Sequence, residues 1–240
     1  PQARRRPVKI YDSARQHLIF DADDTLWENN IYFEDAFDQF CKCLAHSSMA
    51  PQQIRAVLDE IELANAKVNG YGCRNFAPNL AACFQHLAER EISERELNAV
   101  RDFAHAILDR PVKLLMGVED TIAELSVRHE LTLFTKGDPE EQQPKINRSG
   151  LTRYLHHSAI VKEKNETACR ELAQQRGFRL DKTWMIGNSP KSDINPALAA
   201  GLGAVHVPHP RTWTLDDEPL PGSHPRLLRL ERIEDLTKYF

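Results

Sequence analysis

His17-Leu18-Ile19-Phe20-Asp21-Ala22-Asp23-Asp24-Thr25-Leu26-Trp27 is the stretch on which the fold turns. Leu18-Ile19-Phe20 is a short apolar run of the kind a buried strand shows. Three carboxylates then fall within four residues. A buried strand has no use for that much negative charge, because every unpaired carboxylate taken out of water is costly. A bound cation removes the cost. Asp21 and Asp23 are two apart, so on an extended chain their side chains share a face. Oxygens converging just past a strand end suit a hard cation such as Mg²⁺. A lone D-x-D reads more plainly as an acidic turn, with Asp24 or Thr25 capping a helix. What ends the later strands decides between the two.

Residues 1–16 read as an irregular arm, with the first strand at about 17–21. From Glu34 to roughly Arg110 strand-like runs disappear. Phe33, Phe37, Phe40, Cys41 and Leu44 form an amphipathic stripe. Pro51 opens a second helix that ends near Asn69-Gly70. Tyr71–Pro78 reads as a loop by its glycines and proline, with a third helix at about 78–90. Ser93 and Glu96 make a capping box for a fourth, carrying Leu97, Val100, Phe103, Ile107 and Leu108. After Pro111 strands and helices alternate. Strands are expected at Leu131–Phe134, about 157–161, Trp184–Ile186, Ala204–Val207 and Leu227–Leu230. Helices are expected at about 119–129, 139–149 and 166–176, with another running to Ala200-Gly201 and a short final one. That alternation predicts an α/β fold, a doubly wound parallel sheet. The expected organisation is a core of 1–29 and 111–240 interrupted by a four-helix unit at 30–110.

Ligands of open parallel sheets sit outside the carboxyl ends of the strands. The first strand ends in Asp21–Thr25. Leu131–Phe134 leads to Thr135-Lys136-Gly137-Asp138, the strand at 157–161 to Lys162-Glu163-Lys164, and Trp184–Ile186 to Gly187-Asn188-Ser189-Pro190-Lys191-Ser192-Asp193. Carboxylates, a hydroxyl, an ammonium and a further carboxylate are an inventory for holding a phosphoryl group beside Mg²⁺. Each alone has an ordinary reading: a strand-end turn, a solvated lysine, a helix cap. Four in sequence order at four strand ends outweigh those readings.

The run Leu18–Thr25 resembles motif I of the haloacid dehalogenase (HAD) superfamily, hhhDxDxT, and the later groups follow the order of that family's other motifs. The resemblance covers about 17–207, and the helical insertion stands where a C1-type cap belongs. It implies a Mg²⁺-dependent phosphomonoester hydrolase working through an aspartyl-phosphate. Asp21 would be the nucleophile, and Asp23 would protonate the leaving oxygen and then deprotonate water. Thr135 and Lys164 would bind the phosphoryl oxygens, with Lys162 the fallback for Lys164. Mg²⁺ would sit among Asp21, Asp23 (by its backbone carbonyl), Asn188 and Asp193. These roles need Asp21 ionised, favoured by Mg²⁺ and Lys164, and Asp23 protonatable, favoured by crowding of like charge. Asn188 departs from the pattern, since an acidic residue is expected there; its amide oxygen would still serve a hard cation, more weakly. Asp23 favours phosphatase over dehalogenase, because halide leaves without a proton. The insertion is expected to carry substrate choice, with Tyr71 and Arg74 as candidate substrate contacts, Lys136 beside the phosphate and Trp27–Asn30 as hinge. The rival readings are a receiver-type signalling domain and a degenerate binding protein without turnover.

Bulk properties fit that reading. The chain has 240 residues, 41% hydrophobic and 28% charged, with net charge −4. That balance gives no support for broad nucleic-acid binding. Arg4-Arg5-Arg6 with Lys9 and Arg15 is read as a small solvated arm. No run of apolar residues is long enough to span a membrane. A cytoplasmic enzyme acting on a small phosphorylated metabolite is expected, with no nucleic-acid or membrane partner. The five cysteines are read as reduced thiols in helices, because Cys41-Lys42-Cys43 is too tightly spaced for a zinc site.

Overall fold

Alternation along one short strand sets the layers of the sheet. In the computed structural model, which describes residues 14–44 and 49–240, β1 is His17–Phe20. Leu18 and Phe20 point into one apolar layer, with Ile122 and Leu125, while Ile19 points into the other, with Leu172 and Ala197. Successive side chains of a strand face opposite ways, so a strand apolar at three consecutive positions needs cover on both faces. The cover on the first face is α5 (Val118–Arg128), and on the second α7 (Glu166–Arg176) and α8 (Asn195–Ala199).

Six strands form one sheet among the described residues: β1, β2 (Glu130–Lys136), β3 (His157–Val161), β4 (Thr183–Gly187), β5 (Gly203–His206) and β6 (Leu227–Arg229), in the order β3-β2-β1-β4-β5-β6. Every pairing is parallel. This is the doubly wound α/β arrangement the alternation predicts. The order reverses at β1, which lies between β2 and β4, and the crevice at such a reversal is where ligands bind. β2 is longer than expected and includes Thr135 and Lys136, paired with Ile160 and Val161. The arm residues Arg4, Arg5, Arg6 and Lys9 lie outside the described residues. No described helix is long and apolar enough to cross a membrane.

Four helices leave the sheet after β1: α1 (Asn30–Cys43), α2 (Pro51–Asn69), α3 (Cys73–Leu87) and α4 (Glu94–His105). Their apolar stripes make a separate cluster that includes Phe37, Phe40, Leu58, Leu80 and Val100. Phe40 and Leu80 are wholly buried, so truncating either to alanine is expected to cost ~2–5 kcal/mol. Ser93 and Glu96 form the expected capping box of α4. Ile107 and Leu108 fall in the 3₁₀ turn Ala106–Asp109 that follows it. The outgoing and returning chains pair beside the sheet: Glu28 N–H donates to Lys113 (2.9 Å) and Leu115 N–H to Leu26 (3.0 Å).

The loop expected at Tyr71–Pro78 is a correction. α3 begins at Cys73, and Pro78 lies inside it. The reason is remote in sequence. Glu141, on α6 (Pro139–Arg148), accepts from the N–H groups of Cys73 (2.8 Å) and Arg74 (2.9 Å). It supplies the carboxylate that a helix N-terminus favours. Gly72 makes the approach feasible, because at φ +116 a Cβ there would stand 2.5 Å from the Glu141 carboxylate.

Candidate active site

Asp21 follows β1 directly, its N–H donating to Ile186 of β4 at 2.9 Å. The chain then turns: Leu26 N–H reaches back to Ala22 at 2.8 Å, and Asp24 adopts a left-handed φ of 59. A non-glycine residue in that conformation carries ~1–2 kcal/mol of strain. Asp24 offsets it by accepting from the N–H groups of Asn29 (2.9 Å) and Asn30 (3.1 Å), at the start of α1. Its carboxyl is raised to about 7 by burial, against those amide bonds.

The turn returns Thr25 to Asp21. The Thr25 hydroxyl donates to Asp21 Oδ2 at 2.8 Å and accepts from Asn188 N–H at 3.2 Å. Lys164 donates to Asp21 Oδ1 at 2.5 Å and to Asp193 Oδ1. It is buried while Lys162 is exposed, so of the two lysines only Lys164 enters the site. Asp193 is held in a single π-turn after β4, Pro190–Ile194, with Oδ2 accepting from Ser189 N–H at 2.9 Å. Gly187 is required there, because any Cβ would collide with the Asp193 carboxylate. Asn188 donates its amide to Thr212 at 2.9 Å and turns Oδ1 toward Thr25, 3.1 Å from its hydroxyl.

Asp23 occupies a different environment. Its Oδ1 accepts from Trp27 Nε1 at 2.7 Å and Lys145 Nζ at 2.6 Å, its Oδ2 from Gln142 Nε2 at 2.9 Å and Lys145 Nζ at 2.8 Å. The two carboxyls therefore titrate apart. Burial, and then Asp193, push Asp21 up to about 7 against the pull of Lys164. Burial would raise Asp23 too, but Lys145, Gln142 and Trp27 together hold it below the ordinary carboxylate range. The order is the reverse of the sequence expectation, which counted the crowding of like charge and missed Lys145. Burial alone would lower the Lys164 ammonium; Asp193 and Asp21 instead raise it.

Asp21, Asp23, Thr135, Lys164, Asn188 and Asp193 line one cavity of about 390 Å³, bounded on its other side by the helical insertion. Lys136 also lines it, with its ammonium bound to Asp216 (3.0 Å) and Ser192 (2.8 Å). The Tyr71 ring lies 4.3 Å from that ammonium and packs edge-on to Trp213, while its hydroxyl donates to Glu163 at 2.8 Å. Arg74 is a correction. It is half-exposed, does not line the cavity and pairs with Glu140 and Asp138.

Lys145, Gln142 and Glu141 were missed in the sequence. The available signal was position: α6 opens where β2 ends, so its first two turns face the catalytic edge. Asp216, Trp213 and Thr212 were missed inside a Pro-rich tail that carried no periodic pattern.

The donor set fits a hard cation. Asp21 and Asp193 are buried carboxylates close enough to share one ammonium, and the Asn188 amide oxygen stands beside them. Two negative charges face one positive charge there. A second group, Asp24, Glu28 and His209, has ligand atoms within 4.8 Å of one another, but Asp24 is already committed to backbone amides.

Among curated proteins, none matches this chain. Among solved structures, a haloacid dehalogenase-like family hydrolase from Xanthomonas campestris is similar at 26% identity and TM-score 0.78, over 92% of each chain. A predicted phosphoglycolate phosphatase from Haemophilus somnus is similar at 16% identity and TM-score 0.66, over 95% of this chain and 98% of that one. A 2-haloacid dehalogenase from Pseudomonas syringae is similar at 16% identity and TM-score 0.59, over 94% and 97%. At 16% identity the likeness is one of fold, and two chemistries stand on it. The family model of haloacid dehalogenase-like hydrolases matches residues 16–201, most of the sheet and the whole insertion, and this chain is a member of that hydrolase family.

Proposed function

We propose that this chain hydrolyses phosphomonoesters of small metabolites with Mg²⁺, through an aspartyl-phosphate on Asp21. The observation that carries the reading is Asp23: a second carboxylate, on the same strand-end loop and in the same cavity, with donors on both oxygens. Displacing an alkoxide needs a proton delivered to the leaving oxygen, whereas displacing halide does not. An Asp two residues past the nucleophile is therefore useful to a phosphatase and idle in a dehalogenase.

Asp21, held by Thr25 and Lys164, attacks phosphorus; the P–O bond to the alcohol breaks, and the leaving oxygen takes a proton from Asp23. Asp23 then removes a proton from water, which attacks the phosphoryl group. The acyl–phosphate bond breaks, inorganic phosphate departs and Asp21 is restored as carboxylate. Lys145 has to release an oxygen of Asp23 before that carboxyl carries a proton. Thr135 and Lys164 bind the phosphoryl oxygens as charge spreads over them. Bound Mg²⁺, held by Asp21, the Asp23 carbonyl, Asn188 and Asp193, would neutralise phosphoryl charge and align the attack. The insertion acts as a cap that limits water during transfer.

The test uses a generic aryl phosphate with Mg²⁺ or with EDTA, and a 2-haloacid in parallel. Repeated phosphate release that stops in EDTA, and falls at least ~10³-fold in Asp21→Asn, is expected. Halide release with no phosphate release would replace this reading with dehalogenase chemistry. One stable phosphorylation without turnover would indicate a receiver, and an unchanged rate in Asp21→Asn would refute the mechanism.

A further inference from the structure

The cavity that holds Asp21 is also lined by a carboxylate with an oxygen that accepts no hydrogen bond. Glu62, on α2, is only 8% exposed and lines the same cavity as Asp21 and Asp23. Its Oε2 is shut off from solvent and accepts no hydrogen bond. The neighbouring cation is Arg55, whose Nη1 lies 4.0 Å from that oxygen, beyond hydrogen-bond reach. The same guanidinium faces Asp59 at 3.8 Å and lies over the Phe37 ring, 3.6 Å from its centroid. One guanidinium thus serves two carboxylates and bonds neither. Burial pushes the Glu62 carboxyl up to about 7. A buried acceptor left without a donor is costly, and Arg55 meets this one only by charge. Asn79 adds polarity to this end of the cavity; it is buried and accepts from Asn65 at 2.7 Å.

Glu62 and Asp21 line the one cavity from different elements, α2 of the insertion and the end of β1. A single occupant that meets both has its phosphoryl group at Asp21 and a hydrogen-bond donor on the side of α2. A cavity of about 390 Å³ suits a small molecule of that kind.

We infer that Glu62 receives an amino group of the substrate, so that the phosphomonoesters taken by this enzyme have a leaving alcohol bearing an amine remote from the phosphate. The inference rests on the phosphatase reading above and narrows its substrate class. An amine of this kind donates to the Glu62 carboxylate and adds a second cation beside the two carboxylates that Arg55 alone faces. A hydroxyl in the same place donates a hydrogen bond but brings no charge.

The experiment compares ω-aminoalkyl phosphates, from two to about eight carbons, with their ω-hydroxyalkyl twins, in the wild type and in Glu62→Gln. An aryl phosphate is run alongside. The quantity read is the amino-to-hydroxyl ratio of kcat/KM within each preparation, so a partly unfolded variant does not imitate the effect. The ratio is expected to peak at one chain length, at about tenfold or more, the worth of a hydrogen bond to a charged group. In Glu62→Gln it is expected to fall to near one. A wild-type ratio near one at every length overturns the inference, and so does a peak that Glu62→Gln retains. If the aryl and hydroxyalkyl phosphates turn over under either of those outcomes, the phosphatase reading survives. If no phosphomonoester turns over, that reading fails and takes the inference with it.

Discussion

Replacing Glu141 with alanine should loosen α3 from its amino end, although Glu141 lies on another helix. Two bonds are lost, from Cys73 N–H (2.8 Å) and Arg74 N–H (2.9 Å), both to a charged acceptor. Bonds to charged groups contribute ~1.5–3 kcal/mol each, so the gross loss is about 3–6 kcal/mol. Water recovers part of it at Arg74, which is exposed, but little at Cys73, which is buried. The net expectation is about 2 kcal/mol, the upper end for deleting a helix cap. That is roughly a 30-fold rise in the opening equilibrium of the first turns of α3. Amide hydrogen exchange over residues 72–80 reads this directly, with urea unfolding as the global check. Glu141→Gln is expected to fall between the two, since it keeps one acceptor and loses the charge. Exchange within about threefold of wild type in Glu141→Ala would mean that α3 starts at Cys73 for a local reason, and that the account of its N-terminus is wrong.

Lys164→Met leaves Asp21 and Asp193 buried without their shared cation, a loss of ~3–5 kcal/mol in the absence of metal. Millimolar Mg²⁺ should then raise the melting temperature more in the variant than in the wild type; equal shifts would count against a shared cation site. Asn188→Asp adds a charge to the same site, and is expected to lower metal-free stability and tighten Mg²⁺ binding by calorimetry. Glu62 gives a pH signature in the opposite sense to a salt-bridged acid. Its folded carboxyl is raised from 4.5 to about 7 by burial, with Arg55 opposing and Asp59 reinforcing, so the folded state holds a proton that the unfolded state has lost. Stability should therefore fall as pH rises from 4.5 to about 7, by at most ~3 kcal/mol, and a urea midpoint series on Glu62→Gln should show a flatter slope.

Local signals made the sheet legible. The apolar run Leu18–Phe20, the switch to alternating strands and helices after Pro111 and the groups ending each strand give its layers, and Asp21, Thr135, Lys164 and Asp193 come together as those strand ends require. What sequence reasoning missed depends on contacts between distant residues. Pro78 and the glycines argued for a loop, and a carboxylate some seventy residues away made it a helix. Lys145 carried no signal of its own in the sequence, yet it reverses the expected order of two carboxyls. Arg74 was read as a cation able to reach a second anion of the substrate, whereas the anions it meets are Glu140 and Asp138 at the surface.

The acidic run that first marked the site is stable because its three carboxylates do not share one environment. Asp21 faces inward to Lys164 and Thr25, Asp23 sideways to Lys145, Gln142 and Trp27, and Asp24 away to the amides that open α1. The left-handed residue at Asp24 turns the chain that follows, bringing Thr25 back to Asp21 and Trp27 back to Asp23. A straight continuation of β1 would put Asp21 and Asp23 on one face, where Lys164 would have to serve both. Dividing them gives each carboxylate its own donors and separates their titration, with Asp23 the stronger acid, the reverse of the order that a proton carried by Asp23 needs. The same turn sends the chain out into the helical insertion. The residue that holds the loop shape is thus also the one that ties the start of α1 to the sheet edge beside Asp21.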